Sequence, residues 1–231
     1  MRSISLGERL RAAAKFVRQD AVFADVGTDH AYLPIFLLTE GKIERAICSD
    51  INEGPLTTAR ANAKGFGVYE KIEFVLTDGA ESLKDKGITD IAICGMGGEL
   101  IARIINDAPF LKSKGIRLIL EPMSRQAHLR GYLSANGFDT VAEEYLSDSG
   151  KNYVCIVAEY DGEERSLSAV DAEIGAIHKA TGSIEARVRY FTEKKKAFIK
   201  SKEGKKAGNL PYDEDEAILK KIDAILREST L

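Results

Sequence analysis

Cysteine is scarce in this chain of 231 residues: three, at positions 48, 94 and 155. An odd number without short spacing builds neither a zinc site nor a disulfide framework, so each reads as a reduced thiol in an apolar, strand-like run. No apolar span is long enough for a membrane helix, and no secretory or transit segment is visible. The chain reads as cytoplasmic. Charge of one sign is not in excess either. The net charge is −3, which excludes a protein that is polycationic throughout. No His, Cys, Asp or Glu spacing suits a metal, and none is expected. The most telling absence is a glycine. Ala21-Val22-Phe23-Ala24 runs through Asp25 to Gly27, then to Asp29-His30 and a new apolar run, which reads as strand, tight turn and helix start. The dinucleotide fingerprint G-x-G-x-x-G fails here, because positions 29 and 32 are Asp29 and Tyr32. A carboxylate stands where a diphosphate would pass. That argues against a nicotinamide dinucleotide and for an adenosyl ligand without phosphates, S-adenosylmethionine.

What is present is a regular alternation. With 44% hydrophobic residues the chain has material for a core. Leu6, Leu10, Ala13, Ala14 and Val17 fall at helical spacing over 5–17, with Ser5 as N-cap and Glu8 three residues on. Strands are expected at 21–27, 45–50, 72–77, 90–95 and 117–121, and helices at 31–39, 54–64, 98–106 and 126–136. This order predicts a doubly wound parallel sheet. Segments 140–146 and 153–158, joined by Ser147-Asp148-Ser149-Gly150, predict a closing hairpin. The expected fold class is therefore α/β, the Rossmann-like sheet of class I methyltransferases closed by a β-hairpin, with a C-terminal helical, coiled-coil-like part. The division expected is 1–160 for the donor-binding catalytic domain and 161–231 for a helical, basic, RNA-binding domain. No strand is expected beyond 161. Ile184, Val188, Phe191, Lys195 and Phe198 form a coiled-coil-type seam, matched by Ile218, Ile222 and Ile225, with the turn at 204–211.

Chemistry gathers at the strand ends, which cluster when the sheet is parallel. Asp25, Gly27, Asp29, His30 and Leu33 belong to the first. Asp50 and Ile51 end the second, where a carboxylate accepts ribose hydroxyls; the bland reading is a helix cap. Asp78 and Gly79 follow the third, where an acid suits an adenine amine; the bland reading is turn chemistry. Gly95 and Met96 end the fourth and would lie beneath the transferring methyl, or simply permit a strand-to-helix turn. Cys94 is expected to point into its strand. The fourth strand end lacks the Asn or Asp with Pro-Pro that serves exocyclic amines, which leaves a target that is already nucleophilic, such as a ring nitrogen. Asp29 is the first catalytic candidate and Tyr32 the second, as a base-stacking or hydrogen-bonding ring. Their bland roles are orienting the donor's amino group and packing. Arg125 either holds a phosphate or is solvated. The segment 187–206 carries nine Lys or Arg against two acids. Arg187, Arg189, Lys194, Lys195, Lys196 and Lys200 are the RNA-phosphate candidates there, against the alternative of a solvated helix face.

Three stretches together carry a resemblance: Ala24 to Pro34, Cys94-Gly95-Met96-Gly97-Gly98, and Leu120-Glu121-Pro122-Met123, followed by a basic helical tail. The chain resembles the TrmK family, bacterial tRNA (adenine-22-N1)-methyltransferases, over essentially its whole length. The family commonly has Ser at position 28 and a Gln-Pro-Asn-like sequence at 121–123. The resemblance implies S-adenosylmethionine as methyl donor and the D-loop region of tRNA as substrate. A monomer without metal or membrane association is expected. Methylation of another RNA or a small molecule, and non-catalytic nucleotide or RNA binding, are the alternatives on the same fold.

Overall fold

A computed structural model describes residues 4–229. The first half alternates strand and helix: α1 Glu8–Phe16, β1 Val22–Val26, α2 Tyr32–Thr39, β2 Arg45–Asp50, α3 Glu53–Gly65, β3 Ile72–Leu76, β4 Asp90–Gly97, α4 Gly98–Asn106, β5 Arg117–Ser124 and α5 Gln126–Ala135. Then come β6 Phe138–Asp148, β7 Lys151–Tyr160, α6 Ala169–Ile174, β8 Ala180–Thr181, α7 Ile184–Ala207 and α8 Asp213–Glu228. One eight-stranded sheet results, in the order β3-β2-β1-β4-β5-β7-β6-β8. Strands β1 to β5 are mutually parallel, and β7 inserts antiparallel between β5 and β6.

Side chains alternate between the two faces with the strand period of two. Phe23, Ala46, Cys48, Ala92, Ile119 and Cys155 join the helices α1, α2 and α3 in one core. Ala24, Ile47, Ile91, Ile93, Leu118, Leu120 and Ile156 join α4, α5, α7 and α8 in the other. Helix α1 approaches its face closely because the residues it buries, Ala12, Ala13 and Ala14, are small. The C-terminal helices are packed on the sheet rather than held off it. Tyr190 and Phe191 of α7 enclose Tyr145 of β6 at ring-centroid distances of 4.8 and 5.2 Å. The last residues of the 161–231 segment, 230 and 231, lie outside the described residues.

Several local expectations are corrected. Helix α1 begins at Glu8 with Gly7 at its N-cap and no side-chain cap, not with Ser5; Leu6 is buried, so the chain turns after it. A strand does exist beyond 161: β8 pairs in parallel with Glu143 and Glu144 of β6, and two residues are too few to show a period. Helix α7 runs through Gly204 to Ala207, so the turn to α8 is 208–212 and contains Asn209 at φ +52°. Ile177 leaves the helical stripe of Val170 and Ile174, because Gly175 at φ +81° ends α6.

Candidate active site

The C-terminal ends of β1, β2, β4 and β5 converge on one edge of the sheet. By strand parity Asp25 of β1, Cys94 of β4 and Glu121 of β5 point to the face that α1 covers; Cys94 and Glu121 are register partners. Between these ends and the start of α2 lies a cavity of about 400 Å³, lined by Gly7, Arg9, Leu10, Asp25, Gly27, Asp29, His30, Ala31, Tyr32, Leu33, Cys94, Gly95 and Asp148. A smaller, more apolar cavity of about 150 Å³ lies on the other side of Gly27, among Val26, Ser49, Asp50, Ile51, Thr77, Asp78, Gly79, Met96, Leu100, Arg103 and Ile104. Every candidate donor-binding residue lines one or both.

Gly27 separates the two cavities at φ +77°, and a Cβ there would lie 2.1 Å from Met96 Cε. Its N–H and that of Thr28 both donate to the Ser49 carbonyl, at 2.8 and 2.9 Å, which ties the turn to β2. Just past the ends of β4 and β5 the two backbones close up. A Cβ at Gly98 would lie 2.4 Å from the Arg125 carbonyl oxygen, so only glycine fits there.

Asp25 is buried and accepts a hydrogen bond from the Thr28 hydroxyl at 2.5 Å. Burial pushes its carboxyl up to about 6; the Thr28 bond opposes the rise and Asp50 adds to it. Such a group sits ready for a cationic partner. Asp50 ends β2 and accepts the N–H of Asn52 at 2.8 Å. Asp78 lies 3.8 Å from Arg103. At the mouth, Asp29 and His30 approach to 3.1 Å, and the His30 ring stacks on Tyr32 at 5.1 Å between centroids. Tyr32 is 41% exposed, so part of its ring faces solvent.

Cys94 is a correction. It lines the larger cavity instead of pointing into the strand. Burial, with Glu121 and Cys155 nearby, pushes its thiol well above the usual range, so it stays protonated and is not poised as a nucleophile.

Arg9 and Asp148 line the cavity and were missed by the strand-end pattern; Glu121, which ends the fifth strand, lies beneath Arg9 rather than in the lining. Glu121 is fully buried; Arg9 donates to its Oε2 from Nε at 3.0 Å, and Arg9 Nη2 lies 3.0 Å from the same oxygen. Burial raises the Glu121 carboxyl and Arg9 counters it. Its Oε1 has no hydrogen-bond partner among the described residues. The sequence signal for this pair is an acid at the end of the apolar run 118–120. Its partner lies more than a hundred positions away, on a helix whose sequence pattern speaks only of packing.

The basic segment of α7 is largely committed within the protein. Lys194 bonds Glu173, Lys195 meets Asp223 and Lys196 meets Glu193, each at 2.6 Å. Lys202 reaches Glu216 at 2.7 Å, and Lys205 pairs with Asp215. Arg187 turns toward Ser229. Arg125 lies 3.5 Å from Glu99. Arg189 and Lys200 are exposed and make no salt bridge within 4.0 Å among the described residues, although the charge of Arg189 is felt by Glu185 one turn back. Arg189 lines a groove of about 290 Å³ with Ser147, Gly150 and Asn152 at the tip of the β6–β7 hairpin. The other side of that tip, at Asp148, lines the larger cavity.

No group of three or more His, Cys, Asp or Glu among the described residues is arranged to hold a metal. No helix there is long and apolar enough to cross a membrane.

Residues 6–156 match the family model of a methyltransferase domain. Over 177 residues the chain is 32% identical to the tRNA (adenine(22)-N(1))-methyltransferase of Bacillus subtilis, covering 77% of this chain and 74% of that one. Among solved structures, a Streptococcus pneumoniae protein in complex with S-adenosyl-L-methionine superposes with a TM-score of 0.77 at 32% identity, over 96% of this chain and all of that one. TrmK of M. capricolum, in complex with S-adenosyl-homocysteine, gives 0.80 at 26% identity over 95% and 99%.

Proposed function

The chain belongs to the tRNA (adenine(22)-N(1))-methyltransferase family, and from that premise we propose how its own residues perform the reaction. The protein methylates N1 of adenine in tRNA, with S-adenosylmethionine as donor. When bound, the donor supplies an electrophilic methyl group; the chain's task is to hold both partners in line and keep water away.

The observation that carries the residue assignment is the pair of cavities meeting at Gly27. One is acidic and suits an amino-acid end. The other is apolar with two carboxylates and suits an adenosine, and no phosphate-accepting turn lies between them. In this reading Asp50 accepts the ribose hydroxyls, while Asp78 and Gly79 face the adenine edge beside Ile51. Asp25 faces the donor's ammonium, with Gly95 and Met96 flanking the sulfur end and His30 and Leu33 closing the first turn.

Adenine N1 attacks through its own lone pair, so no residue has to activate it. The product ring is cationic, and Asp29 at the mouth stabilises that charge or takes a proton from N6. Tyr32, one ring face held by His30, offers the other to the extruded base. Residues 1–160 provide this site. Residues 161–231 contribute RNA contacts, for which Arg189 is best placed: the hairpin tip leads from the cavity to it.

The test is labelled-methyl transfer to tRNA transcripts at saturating donor in single-turnover conditions. Methyl should enter N1 of one adenine and disappear when that adenine is replaced by guanine. Asp29→Asn and Tyr32→Ala should each slow the step about tenfold or more. Unchanged rates in both variants would remove the roles given to Asp29 and Tyr32.

A further inference from the structure

The amino-acid end of the methyl donor carries a cation and an anion, and the larger cavity is not even-handed toward them. Its lining holds three carboxylates, Asp25, Asp29 and Asp148, and one Lys or Arg, Arg9. The ammonium has several partners to choose from. The carboxylate has one permanent cation, Arg9, and the His30 ring at the mouth; among three acids it would be repelled without that cation.

Arg9 is built for that part. It projects from α1 across the ends of β4 and β5, and its guanidinium lies 5.0 Å from the centroid of the Tyr153 ring. Glu121 engages Nε and Nη2. A guanidinium has five N–H donors, so Nη1 and one Nη2 hydrogen remain for a second carboxylate. The strand end beside it has been cleared: Gly95 stands at φ +80°, and a Cβ there would lie 3.3 Å from Arg9 Nη2. Glu121 has no surface exposure and one oxygen without a partner, an arrangement that costs stability and does little for folding alone. What it does secure is the direction of Arg9.

We infer that Arg9, braced from below by Glu121, binds the α-carboxylate of the methyl donor, Glu121 acting as its positioning residue. The inference rests on the larger cavity being the donor's amino-acid site.

The experiment compares two ligands on the full chain by calorimetry: S-adenosylhomocysteine, and its decarboxylated analogue, which keeps the amine and lacks only the carboxylate. The native protein should prefer the first by about tenfold to a hundredfold, the range expected for charge-assisted bonds. Arg9→Met should abolish that preference while leaving affinity for the analogue within about threefold. Glu121→Leu should reduce the preference part-way. Arg9→Lys, which keeps the charge but loses the fork, should do the same and serves if Arg9→Met does not fold. A native preference retained in Arg9→Met, or an equal loss for both ligands, overturns the inference and leaves Arg9 as a pin between helix and strand. If neither ligand binds the native chain, the donor-site reading itself has failed, and that outcome is distinct from the other two.

Discussion

In the folded chain Asp25 is a carboxyl enclosed by protein, and its two protonation states serve different ends. Folding raises its pKa from the ordinary 3.8 to about 6, so the folded state holds the proton more tightly than the unfolded one. Stability therefore falls as pH rises through this interval, and the loss is complete above pH 6. At about 1.4 kcal/mol per unit the cost at neutral pH is about 3 kcal/mol. A cationic ligand group would recover part of it. Asp25→Asn should then raise the melting temperature of the ligand-free protein at pH 7.5 while weakening S-adenosylhomocysteine binding. In the native chain, affinity for that ligand should fall as pH drops below about 6, and the variant should lack this dependence. A native affinity that is flat between pH 5 and 8 would show that Asp25 meets no cation. At this scale the sequence disclosed the acids that follow strands, because a turn exposes them in a recognisable place. It did not disclose Arg9, whose role comes from a contact across the fold.

Among the elements, the junction of α5, β6 and α6 is held by a buried polar knot. Arg130 donates to Glu143 from Nε at 2.7 Å and from Nη2 at 3.0 Å, and from Nη1 to the Ala172 carbonyl at 3.0 Å. The Tyr145 hydroxyl donates to Glu143 Oε2 at 2.7 Å. Gly175, at the end of α6, has no room for a Cβ against these side chains. Arg130→Met should cost about 3–5 kcal/mol in chemical denaturation, because it strands the Glu143 charge. Adding Glu143→Leu should restore most of that. Failure of the second change to rescue would mean that the backbone bonds to α6 carry the effect. The elements that were legible in the sequence are the ones with a long period or a turn residue at each end, such as β1, β2, α4 and the hairpin. What escaped is what local sequence does not encode. Strand β8 exists because β6 offers it an edge, and Gly204 stays helical because α7 is anchored on either side of it by Phe198 and by Lys205 with Asp215.

Over the whole molecule, the basic run and the acidic start of α8 cancel one another across the helical hairpin. The sequence displays the excess of charge but not the acids opposite it, since those come from Asp213 onward. Screening and side-chain ordering limit each such exposed pair to about 0–1 kcal/mol. Arg189→Glu and Lys200→Glu should therefore weaken tRNA binding and each reduce its log–log salt slope by about one. Lys195→Ala and Lys202→Ala should change the slope little. Equal effects from all four, measured by fluorescence anisotropy over a salt series, would mean that the pairs between α7 and α8 open on the RNA. Strand β7 lies between β5 and β6, yet it is translated after both. From the emergence of Ser124 until Tyr160 clears the exit tunnel, the outer edge of β5 presents unpaired N–H and C=O groups beside a nearly finished parallel sheet. The nascent chain is most open to pairing with a neighbour during that interval. It ends when the β6–β7 hairpin, whose strands pair locally, docks as a unit and seals the edge.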